Sequence, residues 1–182
     1  MSDTIEMTPY SSRWPEEFKE IAARLEAVLG NYALAVDHIG STSVPGMPAK
    51  DVIDVQVTVP SLEQPIQPLL EQLGYERKYH LADHRPPGRT DLADPELEKH
   101  FYFKQQRRIN LHVRVAGRFN QRCALLCRDY LHSHPHAAQA YGVIKQELAR
   151  YFPNNADAYY DIKDPVFDLI MEGAYEWSGT RL

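Results

Sequence analysis

The sequence predicts an α+β fold, in which a twisted mixed sheet has helices packed on one face and is followed by a helical C-terminal part. Two segments in the middle of the chain, 52–59 and 109–115, alternate apolar and polar side chains as strands do. Segments with apolar residues at helical spacing precede, interrupt and follow these strands. The 182 residues, 43% of them hydrophobic, are enough for a sizeable core, and we expect one domain over 1–182.

Five elements are predicted in the first half of the chain. They are a helix at 14–29, a strand at 33–39, a strand at 52–59, a helix at 61–73 and a strand at 75–79. Pro15 suits the first turn of the first helix because its missing N–H is not needed there, and Gly30 marks the end of that helix. Pro60 ends the second strand.

The second half begins with a loop at 81–97, where prolines and Gly88 break any regular pattern. A hairpin follows, with strands at 100–104 and 109–115. Three helices come after it, at about 119–132, at about 135–151, and from near Pro165 to about Trp177. The helical spacing of the middle helix predicts that five of its residues are buried: Ala138, Tyr141, Ile144, Leu148 and Tyr151.

Composition excludes several classes of protein. No segment approaches the ~20 apolar residues that a membrane-spanning helix needs, so no membrane partner is expected. Positions 1–7 lack the basic and apolar regions of a signal peptide. The net charge of −5 argues against generic nucleic-acid binding. Cys123 and Cys127 are spaced for one helix face and are expected to be buried free thiols in a reducing cytoplasm, while the oligomeric state stays open.

The candidate site begins with a turn of small residues, Gly40-Ser41-Thr42-Ser43, which leads to a strand that carries Asp54. Backbone N–H groups in such a turn can receive a phosphate, and a carboxylate on the adjacent strand can hold the Mg²⁺ or Mn²⁺ that accompanies it. Lys50 could neutralise phosphate charge. The alternative is a plain loop that leads into a half-buried strand.

Alternation within the strands predicts that polar side chains gather on one sheet face. The predicted set is Asp54, Gln56, His100, Tyr102, Asn110, His112 and Arg114. Tyrosine, histidine, asparagine and arginine suit ligand recognition more than plain solvation. Arg114 could grip a carboxylate or phosphate, or pair with Asp54, and Tyr102 could stack on a base or cover the sheet edge. The alternative is a face that is simply exposed to water.

Several motifs together resemble the GrpB family, of the UPF0157 type. They are His38-Ile39-Gly40-Ser41-Thr42-Ser43-Val44-Pro45-Gly46, Ala49-Lys50, Ile53-Asp54-Val55, Pro9-Tyr10, Trp14-Pro15, Asn110-Leu111-His112-Val113 and Arg128-Asp129-Tyr130-Leu131. The resemblance covers nearly the whole chain. It implies a nucleotidyltransferase-like fold, and some proteins of the family are fused to dephospho-CoA kinases.

The sequence departs from the nucleotidyltransferase pattern, in which Gly-Ser is followed by Asp-x-Asp or Asp-x-Glu and by a third acid on a later strand. Gly40, Ser41 and Asp54 match, but Gln56 replaces the second acid and His112 stands where the third is expected. A single aspartate predicts weak Mg²⁺ binding, and an imidazole favours manganese or zinc. Asp54 is the candidate metal ligand or general base, and His112 the candidate proton acceptor or metal ligand.

Other residues have two interpretations each. The resemblance places basic residues near Lys145 and Lys163, which could reach a phosphate over the sheet or be ordinary helix-surface lysines. His132, His134 and His136 have metal-like spacing but fit a solvated turn better. No Ser-His-Asp triad, Walker A loop or dinucleotide fingerprint is present in the sequence.

The sequence therefore predicts a cytoplasmic protein that binds a nucleotide or another phosphorylated small molecule. Metal-dependent nucleotidyl transfer to an unidentified acceptor is one reaction that such a site would allow, and whether the protein is an enzyme stays open. The alternative is a non-catalytic binding module with a degenerate active site, which Gln56 favours. A scaffold that uses its helical surface is a third possibility.

Overall fold

The computed structural model describes residues 4–79 and 82–180. Positions 1–3 and 81, which belong to segments interpreted above, lie outside the described residues. These described residues form five strands: β1 (Ala35–Ile39), β2 (Ile53–Val59), β3 (Glu76–Lys78), β4 (His100–Lys104) and β5 (Ile109–Val115). Five α-helices accompany them: α1 (Arg13–Leu29), α2 (Gln67–Gln72), α3 (Phe119–Ser133), α4 (Pro135–Tyr151) and α5 (Ala156–Ser178). The mixed α+β class and the helical C-terminal part are thereby confirmed.

The strands form one sheet in the order β1-β2-β5-β4-β3. The central pair, β2 and β5, is parallel, and every other pair is antiparallel. The β4–β5 pairing confirms the predicted hairpin. Because β2 and β5 are parallel neighbours in register, their side chains at paired positions point to the same face.

One sheet face packs against the first two helices and forms the main core. Alternate residues of β2 and β5, among them Val55, Val57 and Leu111, are fully buried there against Leu25 of α1 and Leu70 of α2. Burying side chains of this size stabilises the fold by about 1.5–3 kcal/mol each. The opposite face, which carries the predicted polar residues of β2 and β5, lies toward α3, α4 and α5.

Two helix predictions were wrong at their boundaries. The helix expected at 61–73 is only Gln67–Gln72, because Pro65 disfavours helical geometry at the residue before it. The helix expected near Pro165 begins at Ala156, where the Asn155 side chain accepts a hydrogen bond from the backbone N–H of Ala158 and caps it. Pro165 therefore lies inside α5.

The inward face of α4 differs from the one predicted. Ala138, Tyr141 and Leu148 are buried as expected, but Ile144 and Tyr151 are exposed. Lys145, not Ile144, continues the buried stripe, and only 3% of its surface is exposed. Within the described residues, no helix is long and apolar enough to span a membrane.

Candidate functional site

A cavity of about 570 Å³ lies between the polar sheet face and the C-terminal helices. Its floor includes Asp54, Asn110 and His112, and its wall includes Ser41 and Lys145. A pocket of this volume is large enough for a small organic ligand. The predicted polar face is therefore roofed by helices and is not the open, solvent-exposed face that strand alternation alone suggested.

The predicted grouping of side chains on this face is confirmed for β2 and β5. Asp54 pairs with Asn110 and Gln56 with His112 across the parallel strands. Asn110 Nδ2 donates a hydrogen bond to Asp54 Oδ1 at 2.8 Å, and His112 Nε2 lies 3.8 Å from the same oxygen.

Charge at the floor follows from these neighbours. Burial opposes ionisation of Asp54, but the His112 ring, the Asn110 amide and the charge of Lys50 outweigh it and hold the pKa of the carboxyl below its usual value. Burial lowers the pKa of His112 to about 4, so the ring is neutral at pH 7. The floor therefore carries one negative charge beside a neutral imidazole.

The prediction that His100 and Tyr102 of β4 share the polar sheet face was wrong. Tyr102 lies opposite Leu111 and is fully buried in the main core, and His100 shares its side of the strand. Phe103 lines the cavity in its place. Alternation along β4 was assigned correctly, but the more hydrophobic set, Phe101 and Phe103, shares the face of His112 and Asn110, so hydrophobicity pointed to the wrong core face.

Gly40 allows the turn to approach Asp54. Its φ is +71° and its ψ is −173°, a conformation that is essentially restricted to glycine. A Cβ atom at this position would lie 2.4 Å from Asp54 Oδ2. The Gly-Ser turn and the aspartate strand therefore fit together only because residue 40 has no side chain.

Thr42 braces the turn. Its Oγ1 donates to the Val52 carbonyl at 3.2 Å and lies 3.1 Å from His38 Nε2. Since the hydroxyl proton is used toward Val52, His38 Nε2 must donate to Oγ1. Burial lowers the pKa of His38 to about 4, which agrees with this neutral donor. These contacts give Thr42 and His38 a structural role in the turn.

Gln56, at the position of the missing second acid, is fully buried. Its Nε2 donates to the Gln121 carbonyl at 3.3 Å, and its Oε1 accepts from Arg114 Nη1 at 2.7 Å. Both ends of the amide are engaged, so the geometry does not support Gln56 as a direct ligand contact. The structural pairing suggested between Arg114 and Asp54 is not what the structure shows.

Arg114 is instead held by Asp83, which the sequence did not single out. Asp83 accepts two hydrogen bonds from Arg114, at 2.8 and 2.9 Å, and contacts Lys99 at 2.5 Å and Asn120 at 3.0 Å. Burial would raise the pKa of Asp83, but the charges and hydrogen bonds of Arg114 and Lys99 outweigh it and hold the pKa far below its usual value. This cluster fastens the loop after β3 to the sheet.

Lys145 provides the most unusual contact of the site. Its Nζ lies 2.6 Å from Ser41 Oγ and 3.0 Å from the Pro48 carbonyl oxygen. Burial, together with the charges of Lys163 and Lys50, lowers the pKa of Lys145 to about 7, although Asp54 acts in the opposite direction. A buried lysine without a direct carboxylate partner is costly and often marks a functional site.

Lys50 and Lys163 line the same cavity, as does Lys99. Lys50 Nζ donates to the Tyr160 hydroxyl at 2.6 Å and lies 4.7 Å from the centre of that ring. Lys163 Nζ contacts Asp164 at 2.6 Å. Lys145 and Lys163 thus both line the cavity over the sheet and are not ordinary lysines of an outer helix surface.

The residues present do not fit a two-metal site. Within the described residues, no group of three or more His, Cys, Asp or Glu side chains is arranged to hold a metal ion. Asp54 has one carboxylate oxygen bound to Asn110 and the other packed against Gly40. The binding of two magnesium ions requires several anionic ligands, which this floor does not supply.

The remaining predicted groups have plain structural roles. Cys123 and Cys127 are buried free thiols on the inner side of α3, as expected. His132 Nε2 contacts the Ser43 carbonyl at 2.7 Å, and His134 stacks on Tyr130. His132 and His134 therefore make packing contacts at the junction of α3 and α4, and His136 is exposed.

Comparison with known proteins places this fold and site in a family. The GrpB protein family model matches residues 4–173. The chain is 29% identical to the crystal structure of GrpB from Enterococcus faecalis, with a TM-score of 0.79, covering 96% of this chain and 100% of that one. A UPF0157 protein of Halalkalibacterium halodurans is 33% identical over 94% of this chain and 83% of its own length.

Other relatives are longer. A protein named dephospho-CoA kinase from Mycolicibacterium paratuberculosis is 35% identical over 97% of this chain but only 47% of its own length. The UPF0157 protein YqkA of Bacillus subtilis is 32% identical over 97% of this chain and 49% of its own length. The chain thus spans about half the length of the first relatives it matches. On the extent of the family match and of the structural likeness, this chain belongs to the GrpB family.

Proposed function

We propose that the cavity binds a nucleotide or another phosphorylated small molecule, with the phosphate at Ser41 among Lys50, Lys145 and Lys163. The observation that carries this proposal is the contact of the buried Lys145 with Ser41 at the wall of the cavity. Phosphate oxygens would supply the negative charge that these lysines attract.

The balance of charge around the cavity supports an anionic ligand. Seven lysines and arginines line it, against four aspartates, in a chain whose net charge is −5. Basic residues are therefore concentrated at this place. Tyr159, Tyr160 and Phe167 add aromatic surface to the same wall, which suits a base or another flat apolar group.

The site favours binding over two-metal nucleotidyl transfer. Gln56 is hydrogen-bonded to Arg114 and Gln121. Of the three acid positions in the nucleotidyltransferase pattern, only the one at Asp54 is occupied by an acid in this sequence. A divalent ion would therefore reach the site with the phosphates of the ligand and contact the protein through Asp54. Transfer of a nucleotidyl group remains the second candidate, because Asp54 is held ionised beside the turn.

The first experiment measures binding by thermal shift and titration calorimetry. The ligands are nucleoside mono-, di- and triphosphates and coenzyme A precursors, including dephospho-CoA because relatives carry its name, each with and without Mg²⁺, Mn²⁺ and Zn²⁺. Removal of a charge-assisted hydrogen bond costs about 1.5–3 kcal/mol, so Ser41→Ala with Lys50→Ala should weaken binding by roughly ten- to a hundredfold.

The matched control is Lys19→Ala, which removes an exposed lysine of α1 that forms an ion pair with Glu16. It should leave affinity unchanged. Equal losses in both variants, or no binding of any phosphorylated compound by the folded protein, would refute the proposal.

The second experiment separates binding from transfer. Pyrophosphate release is followed with each nucleoside triphosphate and metal. If transfer occurs through a metal at Asp54, Asp54→Asn should abolish release and keep much of the affinity, because the amide preserves shape and loses charge. Release that survives this substitution would remove Asp54 from the reaction.

A further inference from the structure

Ser41 and Lys145 form a pair that phosphate binding alone does not require. The 2.6 Å separation of Ser41 Oγ and Lys145 Nζ is within the range for proton transfer between a nucleophile and its base. The Pro48 carbonyl takes one N–H of the amine at 3.0 Å and thereby fixes its direction. Only one hydroxyl of the turn is arranged in this way, because Ser43 Oγ donates to the Gly40 carbonyl at 2.6 Å.

We infer that Ser41 is a nucleophile and Lys145 its general base, and that the pair forms a covalent bond between Ser41 Oγ and the phosphorus of a nucleoside triphosphate. The substrate class rests on the proposed function, since the lysines of the cavity would hold the phosphates. Serine–lysine pairs use the same chemistry in other folds, where an uncharged amine removes the hydroxyl proton.

The reaction balances without an external oxidant or reductant. Lys145 Nζ accepts the proton of Ser41 Oγ, and Oγ attacks the α-phosphorus. The bond between that phosphorus and the bridging oxygen breaks, and pyrophosphate leaves with the electron pair. The product is a serine phosphodiester of the nucleoside, and the proton on Lys145 passes to pyrophosphate or to solvent.

The surroundings keep Lys145 suited to this role. Four elements around the cavity present charged or titratable groups to its amine: Lys163 from α5, Lys50 from the loop before β2, Asp54 from β2 and Cys127 from α3. The two cations disfavour a third positive charge on Lys145, whereas Asp54 and the ring of Tyr141, 4.9 Å away on the same helix, favour one. Lys50 and Lys163 can then pair with the negative charge of the phosphates. Burial favours the neutral form of Lys145.

The site also explains how a hydroxyl could be activated where two metals do not fit. Gln56 stands where the second metal-binding carboxylate is expected, and both ends of its amide are hydrogen-bonded within the protein. The site therefore lacks the paired carboxylates that hold two metal ions. A neutral lysine supplies the base directly. General-base catalysis of this kind contributes about 10²–10⁴ in rate.

A fluorophosphonate probe tests the pair without requiring the nucleotide to be identified. The probe carries an electrophilic phosphorus and fluoride as leaving group, and labelling is followed by intact-mass and peptide mass spectrometry. We expect one label on Ser41 and none there in Ser41→Ala, whereas Ser133→Ala, at an exposed serine of α3, should leave labelling unchanged. The labelling rate should rise with pH through about 7 as Lys145 loses its proton.

Two substitutions at Lys145 separate a base from a phosphate anchor. Lys145→Arg keeps the positive charge but cannot act as a base near neutral pH, and Lys145→Met preserves the shape if arginine does not fit. Each folded variant should label at least about 100-fold more slowly than the wild type. A serine–nucleotide adduct should form from an α-labelled nucleoside triphosphate in the wild type alone.

The outcomes are distinct. If phosphorylated ligands bind but Ser41 is not labelled by either reagent, or if a folded Lys145 variant labels at the wild-type rate, the nucleophile–base assignment is overturned and the proposed function stands. If the probe labels Ser41 through Lys145 but no phosphorylated ligand binds, the pair is active and the substrate class is wrong.

Discussion

Substituting Gly40 with alanine tests how closely the turn must approach Asp54. The backbone there has a φ of +71° and a ψ of −173°, and residues other than glycine lose about 1–3 kcal/mol in such a conformation. The new Cβ would lie 2.4 Å from Asp54 Oδ2 and 2.9 Å from Asp54 Cβ. Moving the Gly40 turn away from Asp54 on β2 adds about 1–3 kcal/mol of overpacking cost, so the free energy of unfolding should fall by about 2–6 kcal/mol.

Gly46→Ala is the matched control. Gly46 belongs to the same loop and has a φ of +77°, but a Cβ there would meet no atom within 4 Å. This substitution should therefore show the backbone cost alone, about 1–3 kcal/mol. The difference between the two variants isolates the contact with Asp54.

Urea unfolding, monitored by circular dichroism, measures both free energies, and calorimetry measures ligand affinity in the same variants. Gly40→Ala should also weaken ligand binding, because Asp54 and Ser41 can no longer keep their positions, while Gly46→Ala should weaken it less. Equal losses of stability in the two variants would refute the argument that Gly40 is required for close approach to Asp54.

Three further outcomes are expected. The pKa of His112 is about 4 in the folded protein and about 6.5 in the unfolded protein, so the unfolded state binds more protons between these values. The free energy of unfolding should therefore fall by about 1 kcal/mol from this histidine between pH 7.5 and 5.5. In urea titrations His112→Gln should reduce this dependence on pH, and an unchanged dependence would contradict a buried, neutral His112. Asp83→Ala leaves Arg114 and Lys99 buried without their carboxylate and should destabilise by about 3–5 kcal/mol, whereas Asp94→Ala, at an exposed ion pair, should change stability by less than about 1 kcal/mol. Mg²⁺ should bind weakly to the protein without ligand, and tight binding by calorimetry would mean that acids besides Asp54 take part.

Strand alternation determined much of the site in advance. In β2 and β5 the apolar and polar sets are clearly different, so the pattern predicted both the strands and the shared face of Asp54, Asn110 and His112. In β4 the more hydrophobic set, Phe101 and Phe103, lies on the cavity side, and Tyr102 was therefore assigned to the wrong face. The hairpin register, which pairs Tyr102 with Leu111, decides that question and leaves no local signal in the sequence.

The charged contacts of the site depend on residues far apart in the chain. Lys145 and Ser41 are separated by 104 positions, and Arg114 and Asp83 by 31. The helical period predicted a buried stripe on α4 but not its rotation, which turns Lys145 inward in place of Ile144. That rotation is set by how α4 packs against its neighbours, and packing depends on the whole shape of the interface. The sequence thus determined most of the elements and the approach of the Gly-Ser turn to Asp54, while the tertiary structure alone decided which lysines and arginines surround the cavity.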